Sequence, residues 1–236
     1  MLKRTQDRKT ATSVKANGKQ SRIANAFSLP AGNEFSCPGA TSFCQSICYA
    51  GKLEKLYPSF RNLVVHNWNA LKDLNRFEMF TLLDEMIQAF RAECDKYGAE
   101  KKFRIHADGD FFNMEYTIAW SAIIVDNPDI QFWAYTRSVF AADFLHERNH
   151  PNLSLFFSAD PVNMVNAKML ESNGIRIAMV DNTFSDAAGS FKGVRCPEQN
   201  NKSFDLINED GGACVRCGLC VFKGKGANVL FSVTKK

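Results

Sequence analysis

Cys37, Cys44 and Cys48 fall within CPGATSFCQSICYAG, and Cys196, Cys214, Cys217 and Cys220 lie near the C-terminus, the last three packed as CVRCGLC. Of the eight cysteines only Cys94 stands apart. Thiolates bunched this closely hold metal, and a C-x2-C-x2-C run favours iron and sulfur. The C-terminal set, with Cys196 as its upstream fourth member, leaves no iron of a [4Fe-4S] cluster open. That suits a structural or electron-transfer role, with a zinc knuckle as the alternative. Two-residue spacers keep successive sulfurs on one side of a tight loop, and Gly211, Gly212 and Gly218 let the backbone approach sulfide. The N-terminal set has three thiols. On a second [4Fe-4S] cluster they leave one iron free for a substrate, water or cofactor. Alternatively they complete a zinc site or share one cluster with the C-terminal set.

HADGDFF is a third constellation. Asp108 and Asp110 alternate after a strand, so paired carboxylates there could hold a cation, grip an ammonium or transfer a proton. The competing reading is a strand-to-helix turn in which Asp110 or Asn113 caps the next helix. Arg137, in YTRS, could grip a carboxylate or phosphate with its bidentate fork, or pair structurally with Asp108 or Asp160. Asp108, Asp110 and Arg137 are thus the candidate catalytic residues. Tyr49, His106 and Gly109 are the candidate cofactor contacts. His66 reads as an ordinary core or surface histidine, and Cys94 as a buried thiol.

Positioning these groups requires a scaffold. The strand-like runs are Arg22 to Leu29, Lys102 to His106, Ile130 to Tyr135, Leu153 to Phe157, Ile175 to Val180 and Asn228 to Val233. Helical patterns separate them: Ser59 to Asn75, Phe77 to Tyr97, Met114 to Val125, Val139 to Glu147 and a helix ending at Asn173. Alternation of this kind predicts an α/β fold, an incomplete parallel barrel of about six strands of the (β/α)6 type. The polar candidates all follow strand C-terminal ends, where such folds build sites. The expected organisation is a basic disordered leader over 1–21 and a single α/β domain over 22–236. A Cys-rich insertion occupies about 181–226.

Net charge is +4, and seven of the basic residues fall in the first 22 positions, so the leader could touch nucleic acid. No apolar run approaches the roughly eighteen residues of a membrane span, and the N-terminus lacks a secretory pattern. A cytoplasmic location is expected, where thiols stay reduced.

The order of strand, three-cysteine loop, helix and a second strand ending in a Gly-acid turn resembles radical S-adenosylmethionine enzymes. That resemblance implies Cys37, Cys44 and Cys48 as cluster ligands, and Asp108, Gly109 and Asp110 as the turn that receives the methionyl amine of S-adenosylmethionine. It also implies the C-terminal four cysteines as an auxiliary cluster. Here the turn reads DGD, and Gly51 stands where the motif has its third close cysteine. Over most of the chain, CPGAT…C…CYA, R-I-H-x-x-GDF, YTRS and the C-x2-C-x2-C run resemble a phage family of gene product 88-like proteins. The expected function is an iron-sulfur enzyme of a radical S-adenosylmethionine-like kind in the host cytoplasm, supplied by an electron donor and acting on a small molecule. The alternatives are a hydrolase using an open iron as Lewis acid on an ester-like substrate, and a non-enzymatic metal-stapled module binding a host protein or nucleic acid.

Overall fold

The computed structural model describes residues 1–7, 9–10, 13–16, 19–200, 207–208, 211–222 and 226–234. Its centre is a seven-stranded sheet: β1 (Ala26–Ser28), β2 (Lys102–Asp108), β3 (Gln131–Thr136), β4 (Leu153–Ala159), β5 (Arg176–Asp181), β6 (Gly193–Arg195) and β7 (Asn228–Ser232). The order is β1-β2-β3-β4-β5-β7-β6, and every pairing is parallel. The first five strands run side by side in chain order, as in a barrel wall, but β1 and β6 remain separate edges. The expectation of about six strands is corrected to seven. β6 has only three residues, all exposed, so no apolar pattern marks it.

Apolar alternation explains how the sheet is covered. Phe103, Ile105, Phe132 and Ala134 point to one face, where they pack with Phe90, Trp120, Ile123 and Leu145 of the crossing helices. Phe90 meets Phe103 edge-on at 5.0 Å between ring centres. The longest helix, Arg76–Tyr97, starts at a capping box of Asn75 with Glu78 and stops at Gly98, whose φ of 64° favours glycine. On the opposite face Tyr135, Phe156, Ala178, Val229 and Phe231 pack against Cys196, Leu219 and Cys220.

Within the stretch expected as a basic leader, several described residues near the start of the chain pack into the fold. Leu2, Thr5 and Thr10 are buried. Thr5 pairs with Ala26 through backbone hydrogen bonds of 2.7 and 3.0 Å, and its hydroxyl meets Ser28 at 2.9 Å. Two of the seven basic residues in the first 22 positions have acidic partners within the fold: Arg4 with Glu93 at 2.8 Å and Lys9 with Glu198 at 2.9 Å. Farther along, Ser13–Ala16 pairs with Lys19–Arg22 as an antiparallel hairpin. No helix among the described residues is long and apolar enough to cross a membrane.

Candidate metal centres

The C-terminal cysteines arrive from separate elements. The chain leaves β6 at Cys196, whose N–H donates to the Leu230 carbonyl at 2.9 Å and so pins the thiol beside β7. The Cys214 N–H donates to the Lys9 carbonyl at 2.8 Å, which fastens the Cys-rich segment to the turn at Lys9 near the start of the chain. Cys214 and Cys217 share the single helical turn Ala213–Cys217, which ends at Gly218 with φ 70°. The tight loop expected there is thus one turn of helix. The Ser154 hydroxyl, on β4, donates to the Cys220 carbonyl.

All four cysteines line one small cavity of about 20 Å³ that opens to solvent, with Pro197, Leu219 and Val229 as apolar walls. Among the described residues no three His, Cys, Asp or Glu side chains are arranged to hold a single metal ion. Burial pushes the Cys220 thiol up to about 11, and raises Cys196 and Cys214 as well. These thiols keep their protons at neutral pH unless a cation displaces them.

The N-terminal group sits at the C-terminal edge of the sheet. Thr41 caps the short helix Ser42–Ile47 by accepting from the Cys44 N–H at 3.0 Å, while its own hydroxyl donates to Asp160 Oδ2 at 2.6 Å. Arg137 donates to the same oxygen, so the structural pairing is with Asp160. A side chain at Gly39, in CPGAT, would place its Cβ 2.3 Å from the Arg137 carbonyl oxygen. The cysteine loop is therefore seated directly on YTRS. Cys37 is pushed up to about 12 by burial and the nearby Asp110 charge; burial also raises Cys44, against the pull of Arg137. Cys48 Sγ accepts from the Gly51 N–H at 3.4 Å.

The two carboxylates of DGD have different surroundings. Asp110 accepts from the Thr136 hydroxyl at 2.6 Å and from the Arg137 and Phe111 N–H groups at 2.7 Å each. It ties the ends of β2 and β3 together, and burial still lifts it to about 6. Asp108 is 6% exposed with an unpartnered Oδ1, and its charged neighbours are Arg104, Glu54 and Asp7. Burial raises it to about 7. Gly109, at φ 84°, has Leu29 and Ser36 against it, with no room for a Cβ. His106 turns to the helix face at φ 63°, meeting the Tyr116 hydroxyl at 2.9 Å; burial lowers it to about 3 and keeps it neutral. The Tyr49 hydroxyl donates to the Ala107 carbonyl. Cys94 is buried in the last turn of the Arg76–Tyr97 helix and pushed up to about 12 by burial.

Asp108 gives a signed expectation for pH. Its folded value lies above the ordinary 3.8 of an aspartate, so between those limits the fold binds more protons than the unfolded chain. Stability from this group is full below the ordinary value and falls as pH rises toward about 7. Asp108→Asn should therefore gain on the wild type across that window, by up to about 4 kcal/mol. Urea unfolding of both proteins at pH 4.5 and 7.5 checks it; a difference independent of pH would contradict it.

Sequence reasoning missed Arg104, Asp7, Ser154 and Arg176. Arg104 is half-buried, bonded to Asp7 and stacked 4.8 Å over Trp133. Its charge and hydrogen bond outweigh the desolvation of Asp7, whose carboxyl is held low. Nothing in KFRIH announces that pairing. Thr41 did carry a signal, since a threonine three residues before Cys44 is a helix-cap pattern.

Residues 1–223 match the family model described as Gene product 88. The chain is 52% identical over 239 residues to the Gene 88 protein of Mycobacterium phage L5, covering 100% of this chain and 99% of that protein. It is 51% identical to the Gene 88 protein of Mycobacterium phage D29, with the same coverage. No solved structure matches.

Proposed function

We propose that this chain, which belongs to the gene product 88 family, is an iron-sulfur protein with a closed four-thiol centre and a three-thiol centre at the sheet's C-terminal edge. The observation that carries this reading is the convergence of Cys196, Cys214, Cys217 and Cys220 on one cavity. Four thiols spread around a cavity rather than gathered on a point suit a [4Fe-4S] cluster better than a single zinc ion. Such a cluster supplies one-electron transfer when bound.

The protein's own groups have separable tasks in this reading. Cys196, Cys214, Cys217 and Cys220 hold the closed centre, and the loss of their protons accompanies metal binding. Cys37, Cys44 and Cys48 hold the second centre and leave a position open toward substrate. Asp160 orients Arg137 at that edge, and Asp110 fixes the Arg137 backbone. Asp108 Oδ1 is the atom suited to hold or pass a proton near neutral pH. S-adenosylmethionine is the co-substrate that a radical mechanism would add. With Asp110 already engaged by three donors, Asp108 is the carboxylate left to receive its amine.

The raised Asp108 also favours a second reading, hydrolysis of an ester-like substrate with Asp108 as base and an open iron as Lewis acid. Anaerobic purification, followed by visible absorption and electron paramagnetic resonance with and without dithionite, tests the main reading. A bleachable brown protein with a reduced-state signal supports it. A colourless protein that carries zinc overturns it.

A further inference from the structure

Arg176, on β5, lies directly behind the C-terminal cysteine cavity. Its guanidinium stacks 4.1 Å over the Phe156 ring, and Nη2 donates to the Ser154 hydroxyl at 2.6 Å. That hydroxyl in turn donates to the Cys220 carbonyl, so two hydrogen bonds link the arginine to a cysteine of the cavity. Nη1 is enclosed with no hydrogen-bond partner, and among the described residues no carboxylate pairs with Arg176. Arg104 on the same face is different, because Asp7 answers its charge. A cation held away from water without a counter-ion is costly, so such a site calls for an anion. The anionisable groups acting on Arg176 are Cys220 and Tyr135. Tyr135 is half-buried on the same face of the sheet, packed against Phe156.

We propose that Arg176 is the counter-charge and hydrogen-bond donor to the metal-thiolate group held by Cys196, Cys214, Cys217 and Cys220, and that it sets that group's reduction potential. This rests on the iron-sulfur reading above. In the redox step one electron passes from a low-potential donor, dithionite in the test, onto iron, and no proton is required. The added negative charge lies beside a fixed cation, so Arg176 favours the reduced form and raises the midpoint.

The experiment is a redox titration of the full-length protein, followed by electron paramagnetic resonance, with iron and sulfide measured in every variant. Arg176→Gln should keep its iron and move the midpoint to more negative values, and Arg176→Lys should move it by a smaller amount. The metal-free Arg176→Gln protein should also melt at a higher temperature than the metal-free wild type, because an uncompensated cation has gone; a purely packing role would lower it. If Arg176→Gln does not fold, Ser154→Ala, which frees Nη2, should shift the midpoint in the same direction. A wild-type midpoint in a variant that retains its cluster overturns the role of Arg176 and leaves the iron-sulfur reading intact. Absence of sulfide from the wild-type protein overturns both.

Discussion

Replacing Cys214 and Cys220 together by alanine should remove about four iron and four sulfide per chain while leaving a second set of about four. The two thiols line the same cavity as Cys196 and Cys217, and two remaining thiolates do not retain a cubane. The effect on stability should be large as well. Among the described residues, the Cys214 N–H to Lys9 and the Ser154 hydroxyl to Cys220 tie the Cys-rich segment to the rest of the fold. Metal binding in such segments is folding free energy, and structural zinc in small domains supplies roughly 10 kcal/mol or more. Analysis of iron and sulfide together with thermal melting measures both effects. Unchanged iron in the double variant would show that this cavity does not hold the metal.

Asp110→Ala should destabilise the fold by about 3–5 kcal/mol, the range for a buried charged partner removed from its donors. The carboxylate accepts the Thr136 hydroxyl and the N–H groups of Phe111 and Arg137, and all three donors would be left without it. The same bonds fix Arg137, which holds Asp160, which receives the Thr41 hydroxyl that positions the Cys44 helix. The loss should therefore propagate to the N-terminal thiols and lower iron loading at that centre while the C-terminal centre survives. For a chain of this size each 1 kcal/mol corresponds to roughly 2–4 °C, so a fall of roughly 6–20 °C in melting temperature is expected. Asp110→Asn, which keeps an acceptor, should cost less than half as much. A melting temperature within a degree or two of wild type would contradict the structural role assigned to Asp110.

The regular parts of the fold were legible because each carries a local signature. The Arg76–Tyr97 helix shows an apolar stripe, an Asn cap and a terminal glycine, and β4 shows an apolar run of strand length. β6 was not legible, since three exposed residues have no pattern. The first ten residues read as a charged tail because their partners are distant in the chain: Asp7 meets Arg104, and Lys9 meets Glu198.

The candidate sites divide in the same way. Grouping of the C-terminal cysteines was visible from spacing, and their cavity follows it. Arg176 and Ser154 behind that cavity look like ordinary strand residues, and only the sheet register brings them together. For DGD the alternate-residue rule suggests two carboxylates side by side. The positive φ at His106 and Gly109 breaks the strand's regular alternation, so Asp108 faces Arg104 while Asp110 is bound to the β3 end. Backbone twists of that kind leave no trace in residue type beyond the glycine itself.

Iron and acid-labile sulfide per chain, measured on anaerobically purified protein, test the central claim most directly. Two thiol-held centres predict about eight iron and eight sulfide, with about four and four in the Cys214/Cys220 double variant. Zinc in place of iron, with no sulfide, would contradict the account and leave both cysteine groups as structural staples.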